Sequence, residues 1–173
     1  MHRHVMIATV VVASACAARA PQPDRTVPGA PEITVPDDGS RLIFAGRANG
    51  AQIYGCASRA DGGYEWKLKA PDAVVTNASG EKLRHYGGPT WEASDGSKVV
   101  GEIKAHVQVD ASAIPWLLLA AKSTSGAGVL AKARWIQRLD TVGGKAPADG
   151  CDEAHSGAEA RIAYSATYRI WGE

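Results

Sequence analysis

His85-Tyr86-Gly87-Gly88-Pro89-Thr90-Trp91-Glu92-Ala93-Ser94-Asp95-Gly96 is the densest polar and aromatic stretch of the chain. A histidine changes charge near neutral pH, and a carboxylate within reach can orient it or act as its partner base. His85 with Glu92 or Asp95 is therefore the candidate acid–base pair of a small hydrolase or isomerase. Trp91 offers a flat face to a sugar or another planar ligand. Trp116, within Ile114-Pro115-Trp116-Leu117-Leu118-Leu119, is the second aromatic that could line a cavity. A structural role competes at each position. Trp91 could fill a gap above a sheet while its polar neighbours cap turns, and 114–119 reads as a strand buried on both faces that starts at Pro115.

The thiols offer a second chemistry. Cys151 and His155 lie four residues apart, a spacing open to a nucleophile and its base, but that chemistry needs a free thiolate. No C-x-x-C and no further Cys/His pair at ligand spacing occurs, so no metal site is expected. Cys56 and Cys151 would be the two cysteines left in an exported chain. An even count there favours a disulfide between them over a reactive thiol. Gly126-Ala127-Gly128-Val129-Leu130-Ala131 fits a dinucleotide-loop spacing, yet that loop must open a helix. The residues after it alternate instead: Val129, Ala131, Ala133 and Trp135 against Lys132, Arg134 and Arg138. The glycines therefore read as a hairpin, and no cofactor is expected.

Strands must position these groups. Tyr64, Trp66, Leu68 and Ala70 alternate with charged residues, as do Val99 to Val109 and Ala160 to Ile170. One apolar and one polar face is the pattern of a half-buried antiparallel strand. Weaker strands are expected at 41–46, 51–58, 73–76, 82–86, 116–123 and 129–139. Ala48-Asn49-Gly50, Asp61-Gly62-Gly63, Ser79-Gly80, Asp95-Gly96 and Gly143-Gly144 read as turns. About nine strands with no helical stripe predict a single all-β antiparallel sandwich or barrel over 41–173.

Residues 1–20 read as a secretory signal, with a His2-Arg3-His4 start, an apolar run over 5–13 and two Ala-x-Ala exits. Cleavage after Ala15 would leave Cys16 as a lipidated N-terminus, the only route by which a membrane anchor enters. Cleavage after Ala20 would discard it. Residues 21–40 hold five of the nine prolines and read as an extended tether with a short edge strand at 32–35. The 173 residues suit one domain, and 19 Lys+Arg against 18 Asp+Glu leave no footprint for nucleic acid.

Gln52-Ile53-Tyr54-x-Cys56, Tyr64-Glu65-Trp66, His85-Tyr86-x-Gly88-Pro89-Thr90-Trp91-Glu92, Ile114-Pro115-Trp116-Leu117-Leu118 and Gly150-Cys151-Asp152 occur in this order. Together with shorter blocks over residues 27–171 they resemble a bacterial and fungal exported family defined only as domain of unknown function 3455. The resemblance implies a secreted single domain whose two mature cysteines belong to the pattern. It implies no activity. The leading expectation is a non-enzymatic binding module for a small molecule or glycan, reached by Trp91 and Trp116. The alternatives are the His85 enzyme and a structural envelope protein.

Overall fold

The computed structural model describes residues 24–173. The leader expected over 1–20, and Cys16 with it, lie outside the described residues. Eight strands follow in order: β1 Arg41–Ser58, β2 Tyr64–Asn77, β3 Lys82–Tyr86, β4 Thr90–Ala93, β5 Lys98–Val107, β6 Trp116–Ser125, β7 Ala133–Gly143 and β8 Glu159–Gly172. Every neighbouring pair is antiparallel, and β8 returns to β1, so the sheet closes into a barrel. Closure removes the free edges that an open sheet would expose.

Eight rather than nine strands arise from two fusions and one addition. The stretches 41–46 and 51–58 are one strand, because Ala48-Asn49-Gly50 runs straight on instead of turning. Asn49 pairs with Val74 and Gly50 with Ala73. A Cβ at Gly50 would collide with the Asp72 carbonyl and with Ala73, so the glycine serves close approach of two strands rather than a turn. The stretches 64–70 and 73–76 are likewise one strand. Pro71 lies beside the register shift at Ile53/Tyr54, where the lost ladder donor is tolerated. The addition is β4, a four-residue strand inside the segment read as a polar loop.

The chain builds two apolar clusters. Phe44, Ala48, Val75, Trp91, Val99, Leu119, Ile136, Tyr168 and Ile170 meet inside the barrel. Leu130 plugs one end, carried by the β6–β7 connection. Its amide donates to Ser97 Oγ at 3.0 Å, and the Val129 amide donates to Asp95 Oδ2 at 2.8 Å. A Cβ at Gly128 would collide with that Asp95 carboxylate, which accounts for the second glycine of the dinucleotide-like motif. A strand and not a helix follows, as the alternation predicts.

The second cluster corrects the tether. Residues 24–40 are packed against the outside of the barrel. Val27, Ala30, Ile33 and Val35 are buried with Leu118, Leu139 and Trp171. The expected edge strand at 32–35 is a 3-10 turn, Pro31–Ile33, opened by its proline. Gln137, fully buried, fastens the segment: its Nε2 donates to the Ile33 carbonyl at 2.9 Å, and its Oε1 accepts the Trp171 indole N–H at 3.1 Å. This covering explains why 117–119 is buried on both faces. Leu117 and Leu119 point into the barrel, while Leu118 meets the strap.

Candidate functional site

The end of the barrel opposite Leu130 is not filled. A cavity of about 610 Å³ lies there, walled by residues of the β3–β4 and β5–β6 connections and of the strands beneath them. Its walls are mostly apolar: Ala70, Pro71, Ile114, Leu117, Leu119 and Trp91. Leu68 and Ile103 stand at its mouth, 57% and 55% exposed. Two large apolar side chains held in water at the opening of an apolar cavity are more informative than scattered surface hydrophobes.

His85 and Trp91 sit opposite each other on β3 and β4 and both point inward. Their rings stack at 4.2 Å with 12° between planes, and Tyr168 of β8 meets both edge-on at 5.2 and 5.3 Å. His85 Nδ1 lies 2.9 Å from the Thr90 carbonyl, so this nitrogen carries the proton and donates. Nε2 is then the acceptor for the Tyr168 hydroxyl at 3.2 Å. Both ring nitrogens are committed, and burial pushes the imidazole pKa down to about 4. His85 is therefore a neutral wall group at physiological pH. Burial likewise raises the pKa values of Tyr54, Tyr164 and Tyr168, so all three stay protonated.

The expected carboxylate partners lie elsewhere. Trp91 points inward, so Glu92 points outward, by the two-residue period of a strand. Glu92 accepts the Tyr86 hydroxyl at 2.8 Å, which holds its carboxyl below the usual range, and pairs with Lys98 at 3.3 Å. Asp95 accepts the Ser97 hydroxyl at 2.6 Å, the main cause of its lowered pKa, and closes the far end of the barrel. Neither carboxylate touches His85. Trp116 faces the N-terminal strap and not the cavity. Cys151 is joined to Cys56, and the His155 ring contacts Asp152 at 2.7 Å, so no thiolate–imidazole pair forms.

The polar cavity residues Gln52, Tyr54, Lys69, His106, Arg138 and Tyr168 carry no candidate role in the sequence reading. Gln52 is a lone amide on the inward-facing series of β1, a signal that was available. Alternation places Arg138 on the polar face of its strand. A register shift between Ala133 and Trp135 reverses the parity, so Ile136 and Arg138 face inward and Trp135 outward. Among the described residues no cluster of His, Cys, Asp and Glu could hold a metal ion.

A closed eight-stranded antiparallel barrel, plugged at one end and hollow at the other, defines the structural class. The chain belongs to the family described as protein of unknown function DUF3455, whose profile matches residues 36–172. No curated protein and no solved structure matches it.

Proposed function

We propose that this is an exported, non-enzymatic binding protein that takes a small, largely apolar molecule into the barrel cavity. The cavity carries the reading. At about 610 Å³ it falls within the roughly 300–1,000 Å³ of small-molecule sites, and it has their composition, an apolar wall with a few polar groups. A glycan would need a denser set of free hydrogen-bonding groups, since Tyr54, His85 and Tyr168 are already engaged within the protein and Ile114, Leu117 and Leu119 offer none. Catalysis by His85 with Glu92 or Asp95 gains no support from a geometry in which both carboxylates lie outside the lumen.

The test is a titration with N-phenyl-1-naphthylamine, a neutral dye whose emission rises in apolar surroundings. The folded protein is expected to bind it saturably at one site. Ala70→Trp, which places a large ring in the cavity from a half-buried wall position, is expected to abolish that binding while the melting transition persists. No saturable signal, or equal signals from wild type and a folded Ala70→Trp variant, would overturn the reading.

Export is supported by the leader-like residues 1–20 and by the Cys56–Cys151 bond, since disulfides persist in oxidising compartments. Intact mass of protein recovered from its producing host checks it. The expected mass begins after Ala15 with lipid on Cys16, or after Ala20 without it. A mass that includes the apolar run 5–13 would overturn export.

A further inference from the structure

We infer that Arg138 anchors a carboxylate, so the cavity's ligand is an amphipathic monocarboxylate: an apolar body in the lumen with one acidic group on the guanidinium. This rests on the cavity reading above and deepens it.

Arg138 is half-buried in the cavity wall. Its Nε and Nη2 donate to the Pro115 carbonyl at 3.0 and 2.8 Å, which fixes the plane of the guanidinium. A guanidinium carries five N–H donors, so donors remain after this contact. Among the described residues no carboxylate lies within ion-pair distance of Arg138. Arg25, Arg59, Arg84, Arg134 and Arg161 each hold an acidic partner within 4 Å, and of the described arginines without one, Arg138 is the one that lines the cavity. The charge acts on the lumen itself: it opposes protonation of His85 and favours ionisation of Tyr54 and Tyr168. A charge withdrawn from water without an opposite charge is costly, and a ligand that supplies one relieves that cost.

The rest of the wall agrees in sign. Lys69 and Arg138 are the charged residues that line the cavity, and no Asp or Glu does. Lys69 stands exposed at the mouth and is already paired with Glu159. That leaves one oriented guanidinium to meet a single acidic group, and its fork matches a planar carboxylate. The lumen also holds polar atoms that lack partners. The Trp91 indole N–H and Gln52 Oε1 are buried in residues 1% and 2% exposed, and neither makes a hydrogen bond within the protein. A wall that combines a half-buried unpaired cation with buried unpartnered polar atoms is a binding wall, not a packing void.

The experiment displaces bound N-phenyl-1-naphthylamine with decanoate and, separately, with decanol, at constant ionic strength. Arg138→Met is expected to weaken decanoate about tenfold or more, the scale of one lost charge-assisted contact. Decanol should shift by no more than about twofold. Arg138→Lys keeps the charge and loses the fork, so its decanoate affinity should fall between the two. It also serves if Arg138→Met does not fold. Lys69→Gln and His106→Gln should leave the decanoate-to-decanol ratio close to wild type. Failure of the dye to bind wild type would sink the cavity reading itself. Dye binding and decanol displacement with a decanoate affinity indifferent to Arg138→Lys and to any folded Arg138→Met would sink only the anchor. So would a loss that tracks Lys69 or His106 instead.

Discussion

Cys56→Ser and Cys151→Ser are each expected to lower stability by about 4–5 kcal/mol, the chain-entropy value for a closed loop of roughly 100 residues. The bond joins positions 95 apart in sequence, and the loop contains β2 through β7. Without it, the unfolded chain gains the freedom of nearly the whole barrel. The native state gains little in exchange, because hydrogen bonds already hold the same place. The Cys56 amide donates to the Ala158 carbonyl, and the Gly157 amide to the Cys56 carbonyl, both at 2.9 Å. The Trp66 indole N–H donates to the Asp149 carbonyl at 2.9 Å, which fastens the β7–β8 connection to the β1–β2 hairpin. A domain of this size is stable by about 5–15 kcal/mol, so the loss removes about a quarter of the total or more. It should lower the melting temperature by roughly 10–15 °C. Guanidinium unfolding of wild type with and without reductant measures it directly. Coincident transitions, or two reactive thiols in the unfolded and unreduced protein, would refute the bond and its contribution.

The bond also bears on the cavity. The β7–β8 connection that carries Cys151 begins at Gly144, whose carbonyl accepts the Tyr54 hydroxyl at 2.7 Å, and Tyr54 is a cavity wall residue. Strand, loop and staple therefore hold one side of the mouth. The opposite side, from Gly87 to Pro89, is held by the Thr90 hydroxyl on the Gly87 carbonyl at 2.8 Å.

The barrel was legible because strand alternation is a local consequence of the pleat. Val99, Gly101 and Ile103, or Tyr164, Ala166, Tyr168 and Ile170, advertise an inward face without any knowledge of partners. Bulges were not legible, and they decide the site. Each adds one residue and turns the following side chains to the other face. In β5 the shift between Ile103 and Ala105 splits one apparent apolar face between two clusters. Val99 packs inside, while Ala105 and Val107 join the outer cluster under the N-terminal strap. The same device in β7 carried Arg138 inward from a face that alternation made polar. The strap itself was hidden because Val27, Ala30, Ile33 and Val35 follow neither a two-residue nor a helical period. Prolines between them suggested a chain with nothing to pack against. In the segment 85–95 the stack of His85 on Trp91 came from residues already singled out. Their carboxylate neighbours fell outside because adjacent strand residues face opposite ways.

That stack sets the second large effect: wild type is expected to lose about 3 kcal/mol more stability than His85→Asn on going from pH 7.5 to pH 4. In the native protein, burial holds the imidazole pKa near about 4, whereas in the unfolded chain it returns to about 6.5. Between those values the unfolded chain binds a proton at His85 that the native chain does not. Stability therefore falls as pH falls through this window and levels off on either side. At pH 4 the native imidazole is half-protonated, so most but not all of the difference between about 4 and about 6.5 has developed, which at 1.36 kcal/mol per tenfold gives about 3 kcal/mol. The physical cost is specific. The new charge would be buried away from water with the Arg138 cation nearby, and protonated Nε2 could no longer accept the Tyr168 hydroxyl. Asparagine removes the titration and keeps a short amide to face the Thr90 carbonyl. The acid titration of the carboxylates, including Asp95 and Glu92, is common to both proteins, so the difference between their pH profiles isolates His85. Denaturant unfolding at half-unit steps of pH measures it. Parallel profiles for wild type and variant would mean that His85 titrates in the fold as it does in the unfolded chain, and would reopen a proton-transfer role for it in the lumen.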